Sequence, residues 1–298
     1  MSFGSQRLVA VGEPPNVRRS FDSIRAFYQD QETRIDAFIG RPVTPEPGVL
    51  DDKWNPDQLL WGVYYTTSIP RITGMSLDLY YLGLDRRNAS FSGVIAEEKR
   101  QTVGSRIWGK LKNIDYNAEF VGQFGRFGSK RILAYGIYFD GGYTFASVPL
   151  SPRAGVKFDV LSGDHNSKDN TVGTFNPLFP QYGYFGDSNL VVPSNIIDLY
   201  PNLTLNLTRS FSLNGGLQFL WRQSTADAVY RIPLSPLVTS GQSHSRDIGE
   251  QAMLEATWKV SRHFTAYFAY AHFFAGDVIR DAKGSDVDYI STRLSYRF

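Results

Sequence analysis

The sequence predicts an all-β protein, an antiparallel transmembrane β-barrel of about fourteen strands. Three observations carry this. Apolar and polar residues alternate with period two along most of the chain. No run of 18 apolar residues offers a transmembrane helix. Aromatic residues reach 14% beside 27 glycines, while hydrophobic residues stay at 42%. A strand between lipid and water needs only every second residue apolar, so an outwardly mild composition is expected of a barrel.

In chain order the strands read as 4–11, 20–30, 34–39, 58–68, 73–81, 101–111, 115–123, 128–147, 154–160, 202–208, 214–222, 252–260, 263–274 and 288–298. Ile35, Ala37 and Ile39 oppose Arg34 and Asp36. Met75, Leu77, Leu79 and Tyr81 oppose Ser76, Asp78 and Tyr80. Asp115, Asn117, Glu119 and Gln123 share one face. Ala154, Val156, Phe158 and Val160 oppose Gly155, Lys157 and Asp159. Leu203, Leu205 and Leu207 oppose Thr204, Asn206 and Thr208, and Leu217, Phe219 and Trp221 oppose Gln218 and Arg222. Leu254, Ala256, Trp258 and Val260 oppose Met253, Glu255, Thr257 and Lys259. The clearest strand is the last: Ile290, Thr292, Leu294, Tyr296 and Phe298 face away from Tyr289, Ser291, Arg293, Ser295 and Arg297.

Short turns fall at Lys112-Asn113, at Ser210-Phe211 or Asn214-Gly215, and at Ser261-Arg262; long irregular segments fall at 42–57, 84–99, 162–196, 225–246 and 275–286. A soluble β-sandwich also alternates, but it does not need so many long strands with Arg, Asp and Glu on their polar faces. In hydrocarbon every backbone N–H and C=O must be paired, which a sheet achieves by closing on itself. Trp61, Trp108, Trp221 and Trp258 then fall partly in interfacial girdles. The polar faces line a lumen that holds water, inserted loops or both. The whole chain, 1–298, reads as a single domain, with 162–196 as a long loop able to fold into the pore mouth.

The pore-lining candidates are Arg18, Arg19, Arg25, Arg34, Lys157, Arg222, Arg293 and Arg297, with Asp36, Asp115, Glu119, Asp159 and Glu255 as balancing acids. Guanidinium groups stay charged and bind carboxylates through two parallel hydrogen bonds, so an unpaired arginine track suits an anionic solute. The competing role is cross-strand pairing that braces the wall. Arg18, Arg19 and Arg25 are the leading candidates for an anion-facing cluster. In the long loop Phe175, Phe179 and Tyr184 are the constriction candidates. Asp164, Asp169 and Asp187 offer oxygen ligands for calcium, though their spacing fits no EF-hand.

The chain has no cysteine, which excludes disulfides, thiolate metal sites and cysteine nucleophiles. A net charge of +2, from 31 Lys and Arg against 29 Asp and Glu, is no nucleic-acid signature. His165, His244, His263 and His272 are the four histidines, and no spacing joins them to Asp247, Ser243 or Ser245 as a triad. No cofactor and no enzymatic activity is expected.

The blocks Ser5-Gln6-Arg7-Leu8-Val9, Pro15-Asn16-Val17-Arg18-Arg19-Ser20-Phe21-Asp22, Gly163-Asp164, Thr174-Phe175-Asn176-Pro177-Leu178-Phe179-Pro180, Tyr184-Phe185-Gly186-Asp187 and Asn195 to Pro201 resemble the alginate-export family of outer-membrane porins, and the similarity runs to Phe298. The resemblance implies a monomeric barrel of eighteen antiparallel strands with an arginine-rich lumen, gated by an inward loop and a periplasmic turn. It also implies a place in the bacterial outer-membrane lipid and export of an anionic polysaccharide such as alginate, or passage of a smaller anionic solute, with periplasmic export partners. The alternative is an uptake or general diffusion porin for small organic or aromatic solutes. Because about fourteen strands are read here and no signal peptide precedes them, roughly the first four strands of such a barrel are expected to lie upstream of Met1.

Overall fold

The computed structural model describes residues 1–13, 17–70, 72–91 and 94–298. Pro15 and Asn16 of the resemblance blocks lie outside the described residues. The described strands are β1 (Phe21–Gln29), β2 (Thr33–Thr44), β3 (Lys53–Trp54), β4 (Gln58–Ser68), β5 (Met75–Phe91) and β6 (Val94–Leu111). They continue as β7 (Ile114–Phe127), β8 (Lys130–Thr144), β9 (Arg153–Leu161), β10 (Thr171–Val172), β11 (Ile196–Asn206) and β12 (Phe211–Arg222). Last come β13 (Val229–Arg231), β14 (Ser235–Val238), β15 (Asp247–Lys259), β16 (Phe264–Ala275), the helix α1 (Asp277–Asp281) and β17 (Val287–Tyr296).

One sheet takes fifteen of these strands, in the order β1-β2-β4-β5-β6-β7-β8-β9-β11-β12-β15-β16-β17, with β3 paired to β2 and β10 to β8. Each strand along that path runs antiparallel to the next, as hairpin connections require. β13 and β14 form a separate hairpin.

The two faces of the sheet invert the usual globular pattern. On the bare face stand Ile35, Val63, Leu79, Val103, Phe120, Leu133, Phe158, Leu254, Phe268 and Leu294, all exposed. On the covered face lie Asp36, Asp78, Glu98, Arg100, Glu119, Asp159, Asp198 and Arg222, all buried. Period-two geometry places neighbours in sequence on opposite faces, so Phe120 is 52% exposed while Glu119 beside it is 5% exposed. A soluble sheet would not leave this apolar face to water; a lipid-facing wall requires it.

What covers the polar face comes from two segments outside the long strands. Residues 1–10 and 174–192 lie against it, and Phe3, Leu8, Val9, Phe175, Phe179, Phe185 and Val191 pack on Phe38, Leu60, Tyr64, Tyr80, Leu82, Val121, Tyr138 and Leu161. The segment expected as a strand at 4–11 is therefore corrected: it makes one bridge, Val9 to Phe179, and joins no sheet edge. Leu8, Val9 and Ala10 are buried in succession, as an inserted segment is on every side. The segment 84–99, read as a loop, is likewise corrected. β5 and β6 extend into it and pair Asp85 with Lys99 and Arg86 with Glu98, the second pair on the covered face. Asn214 and Gly215 lie inside β12, and the turn precedes it. The two long connections 225–246 and 275–286 carry the β13–β14 hairpin and α1. Trp108 is on the covered face and donates to Asp78, so it belongs to no outer girdle, whereas Trp258 is half exposed on the bare face.

The connection from β12 to β15 is tied down by two buried side chains, Arg222 and Asp227. Arg222 donates to the carbonyls of Ser243 (2.9 Å) and Asp227 (3.2 Å) and to that of Ser245. Asp227 accepts from the amides of Asp164 and Ala228, both at 2.8 Å, and from the hydroxyls of Thr174 and Tyr230. Burial pushes the Asp227 carboxyl above its ordinary range, against the pull of those donors. A carboxyl with a raised folded value favours the folded loop when protonated, so its contribution is complete below the ordinary aspartate value and is lost as pH rises through the raised one.

Two outcomes are expected. Amide exchange at Asp164 and Ala228, corrected for its intrinsic pH dependence, quickens across that window in the native chain, and Asp227→Asn flattens the profile. Phe120→Arg, which puts a charge on the bare face, lowers stability in lipid vesicles by about 2–4 kcal/mol in a urea titration if it sits near the bilayer centre; Phe120→Leu stays close to the parent.

Candidate functional site

The chemistry of the chain is concentrated on the covered face, where strand register sets opposite charges side by side. Asp78 on β5 stands opposite Arg106 on β6, and the guanidinium reaches it at 2.8 Å. Glu98 takes Arg100 at 2.6 Å from its own strand and Arg86 from the neighbouring one. Asp36 takes Arg34 at 2.8 Å and Arg25 at 2.7 Å. Glu119 accepts from Tyr80 at 2.7 Å, from Ser5 at 2.7 Å and from Arg7 at 2.8 Å, so it joins wall and inserted segment in one place. Tyr80 reaches it across Gly104, where a Cβ would collide with the ring.

A second cluster lies two and three strands further on. Asp159 and Asp198 face each other directly on β9 and β11, fully buried. Lys157 lies 3.8 Å from Asp159 and 3.9 Å from Asp198, and donates to the Tyr184 carbonyl at 2.6 Å. The Tyr184 hydroxyl donates to Asp159 at 2.9 Å, and Lys157 sits 3.6 Å from the Tyr184 ring centre. Asp115 and Asp140 hold Arg153 at 2.5 and 3.4 Å nearer the short-turn rim.

Nine cations and nine carboxylates thus meet on this face among the described residues. The near-zero net charge of the sequence is repeated inside. The open space is polar: a cavity of about 410 Å³ is lined by Arg7, Arg153, Lys157, Asn117, Asp140 and Glu255, among others. It shares Asn117, Asp140 and Arg153 with a second space of about 640 Å³.

The residues singled out in the sequence fall in several places. Arg25, Arg34, Asp36, Glu119, Lys157 and Asp159 are on the covered face, paired as above. Arg293 joins them, 3.4 Å from Asp187 and 3.9 Å from the Tyr267 ring centre. Arg18, Arg19 and Arg25 take separate partners and not one shared cluster. Arg18 pairs at the surface with Glu13, Arg19 turns into the inserted segment, and Arg25 stacks 5.0 Å from Phe3. Arg222 is consumed in holding loop carbonyls, and Arg297 lies exposed at the chain end.

Phe175 and Phe179 are buried in the inserted core, and Tyr184 stands between Arg7 and Asp159. Asp164 and Asp169 spend an oxygen each on the amides of Asn166 and Thr171, and Asp187 on Arg293; the described residues hold no group of three candidate metal ligands.

Sequence reasoning missed Arg7, Asp78, Glu98, Arg100, Arg106, Arg153 and Asp198 as members of this network. The spacing Glu98, Arg100, Thr102, Arg106 was a usable signal, since every second position from 98 to 106 is polar or glycine. Arg7 had none, because it lies in no strand.

A family model described as alginate export matches residues 1–292. Among solved structures, the chain is similar to a NanC porin in a rhombohedral crystal form, at 11% identity and a TM-score of 0.38, over 80% of this chain and 94% of that one. No curated protein matches the sequence.

Removing the Glu119 charge is expected to release the inserted N-terminal segment. Glu119→Gln leaves Arg7 buried without a counter-charge, a change that costs about 3–5 kcal/mol in comparable buried pairs. Trypsin, which cannot reach the 5% exposed Arg7 in the native fold, is then expected to cleave after it. Protection equal to that of the parent would show that Glu119 does not hold the segment.

Proposed function

The chain belongs to the alginate export family, and on that basis we propose that its outer-membrane channel passes acidic solutes, drawn by cations that border the open space, the counter-acids of Arg7 and Lys157 standing behind them. The family and the inverted sheet support a membrane channel rather than an enzyme. The observation that carries the finer reading is the lining of the 410 Å³ cavity. Arg7, Arg153 and Lys157 border it beside Asp140 and Glu255, whereas Glu119, Asp159 and Asp198, the counter-acids of Arg7 and Lys157, do not. A solute carboxylate entering there exchanges one acceptor for another, and the guanidinium fork suits that exchange.

In the orientation usual for such barrels, the short turns at 30–32, 112–113 and 260–263 face the periplasm and the long connections face outward. The cavities bordered by Arg153 then open on the periplasmic side. The protein works as a monomer in outer-membrane lipid. Passage follows the solute gradient, and polymer export would draw on periplasmic partners.

A second reading, passage of small organic acids in place of a polymer, is favoured by one observation. Aromatic and aliphatic side chains of the inserted segments fill the middle of the covered face, and the spaces left at the rims are of the size that holds a small ligand.

Single-channel recording in planar bilayers tests both. The expected result is a reversal potential shifted toward chloride in a potassium chloride gradient, with the shift reduced in Arg153→Gln and Lys157→Gln. Block by oligo-uronates but not by neutral oligosaccharides supports polymer passage. Block by small aromatic acids alone supports the second reading. A cation-selective or silent channel from folded protein would sink the anion reading.

A further inference from the structure

At the rim opposite Arg153, a cavity of about 210 Å³ lies beneath the long connections, and its chemistry differs from that of the paired network. Two guanidiniums border it, Arg19 and Arg86, with the amides of Gln58 and Asn176. The rest of the lining is apolar: Pro177, Leu178, Phe179, Pro180, Val192 and the Ile232-Pro233-Leu234 turn, with Tyr182. No carboxylate lines it. The acid that neutralises Arg86 is Glu98, which is 1% exposed and outside the cavity wall.

Arg19 has no carboxylate within ion-pair reach among the described residues, unlike the other half-buried arginines of the covered face. One of its nitrogens, Nη1, donates to the carbonyls of Ala10 and Pro180, both at 3.1 Å. Its guanidinium carbon lies 5.4 Å from the Phe179 ring centre and 5.0 Å from that of Tyr182. Two rings and two carbonyls fix the plane of the guanidinium, and they supply only partial negative charge. Burial accordingly lowers the affinity of Arg19 for its proton, with Tyr182 opposing. A fixed fork of donors beside an apolar chamber matches one kind of ligand: a carboxylate carried on a compact apolar body.

We propose that this cavity is a binding site for a small monocarboxylic acid with an aromatic or aliphatic body, held by Arg19 through its carboxylate and by Leu178, Val192 and the Ile232–Leu234 turn around its body. The proposal deepens the small-acid reading of the channel. It differs from the cavity at the other rim, whose amides and paired charges would suit a hydroxylated solute. A uronate, hydroxylated around its ring, would bury unpaired hydroxyls against Pro177, Leu178 and Ile232, which is costly.

Equilibrium dialysis of the full chain, folded in detergent, with labelled benzoate tests the site. Saturable binding of one benzoate per chain is expected, with benzyl alcohol and glucuronate each at least tenfold weaker. Loss of the charge-assisted hydrogen bonds in Arg19→Gln is expected to weaken benzoate by about tenfold to a hundredfold. Arg19→Gln binding benzoate like the parent, or benzyl alcohol or glucuronate binding as well as benzoate, would overturn the proposal. Should Arg19→Gln fail to fold, Ile232→Trp decides by filling the chamber: lost binding supports the site and undiminished binding overturns it. Conductance of the same preparation separates this site from the channel reading. Binding without current upholds the site and removes the channel, whereas current without benzoate binding removes the site alone.

Discussion

Asp36, Asp78, Glu98, Glu119, Asp159 and Asp198 lie almost wholly out of water, and each has a cation within 4 Å. A carboxylate cannot be taken from water into a dry interior without such compensation, because several kilocalories per mole of hydration would be lost. The inserted segments make the compensation necessary. They displace water from a wall whose polar residues would otherwise be solvated. The pairing therefore extends from β1 to β17 and uses both neighbours on one strand, as in Glu98 with Arg100, and neighbours across strands, as in Asp78 with Arg106.

The inserted segments are built to meet that wall. Phe3 stacks on Phe38 at 4.7 Å and on Tyr64 at 5.4 Å, and Tyr64 stacks on Tyr80 at 5.1 Å. The two tyrosine hydroxyls continue outward from this stack to Asp78 and Glu119. One column of rings thus supplies both apolar contact and hydrogen-bond donors. The Tyr184 region repeats the arrangement at Asp159, with Lys157 over the ring. Gly186, at φ +102°, lets the backbone turn there, close to Gln251 and Met253. The consequence for transport is that free space survives mainly toward the rims, where cations border it.

Much of this wall could be read from the sequence. The faces assigned to Ile35 and Asp36, Leu79 and Asp78, Phe158 and Asp159, and Leu294 and Arg293 agree with the burial found. The reason is local: in an extended chain consecutive side chains must point to opposite sides, so a period-two pattern reports a face without any knowledge of neighbours. The same rule would have recovered Glu98, had 84–99 not been read as an irregular segment, and it applies equally to Arg106 within the strand expected at 101–111. The rule does not reach 4–11, where a strand was expected and did not form. A short apolar run such as Leu8 to Val11 does not require a partner strand, and this segment found its contacts on the inner side of other strands.

The sequence by itself determined the class of structure, the covered and bare faces of the long strands, and the balance of acids and bases, because these follow from backbone periodicity and composition. Only the tertiary structure decided which charges are spent on one another and which remain available. Arg222 and Arg19 look alike in sequence, yet one holds loop carbonyls and the other has rings and an open chamber beside it. The pairing of Arg7 with Glu119 joins residues 112 positions apart, and a contact at that separation is fixed by how the segments fold over the sheet, to which no local pattern gives access.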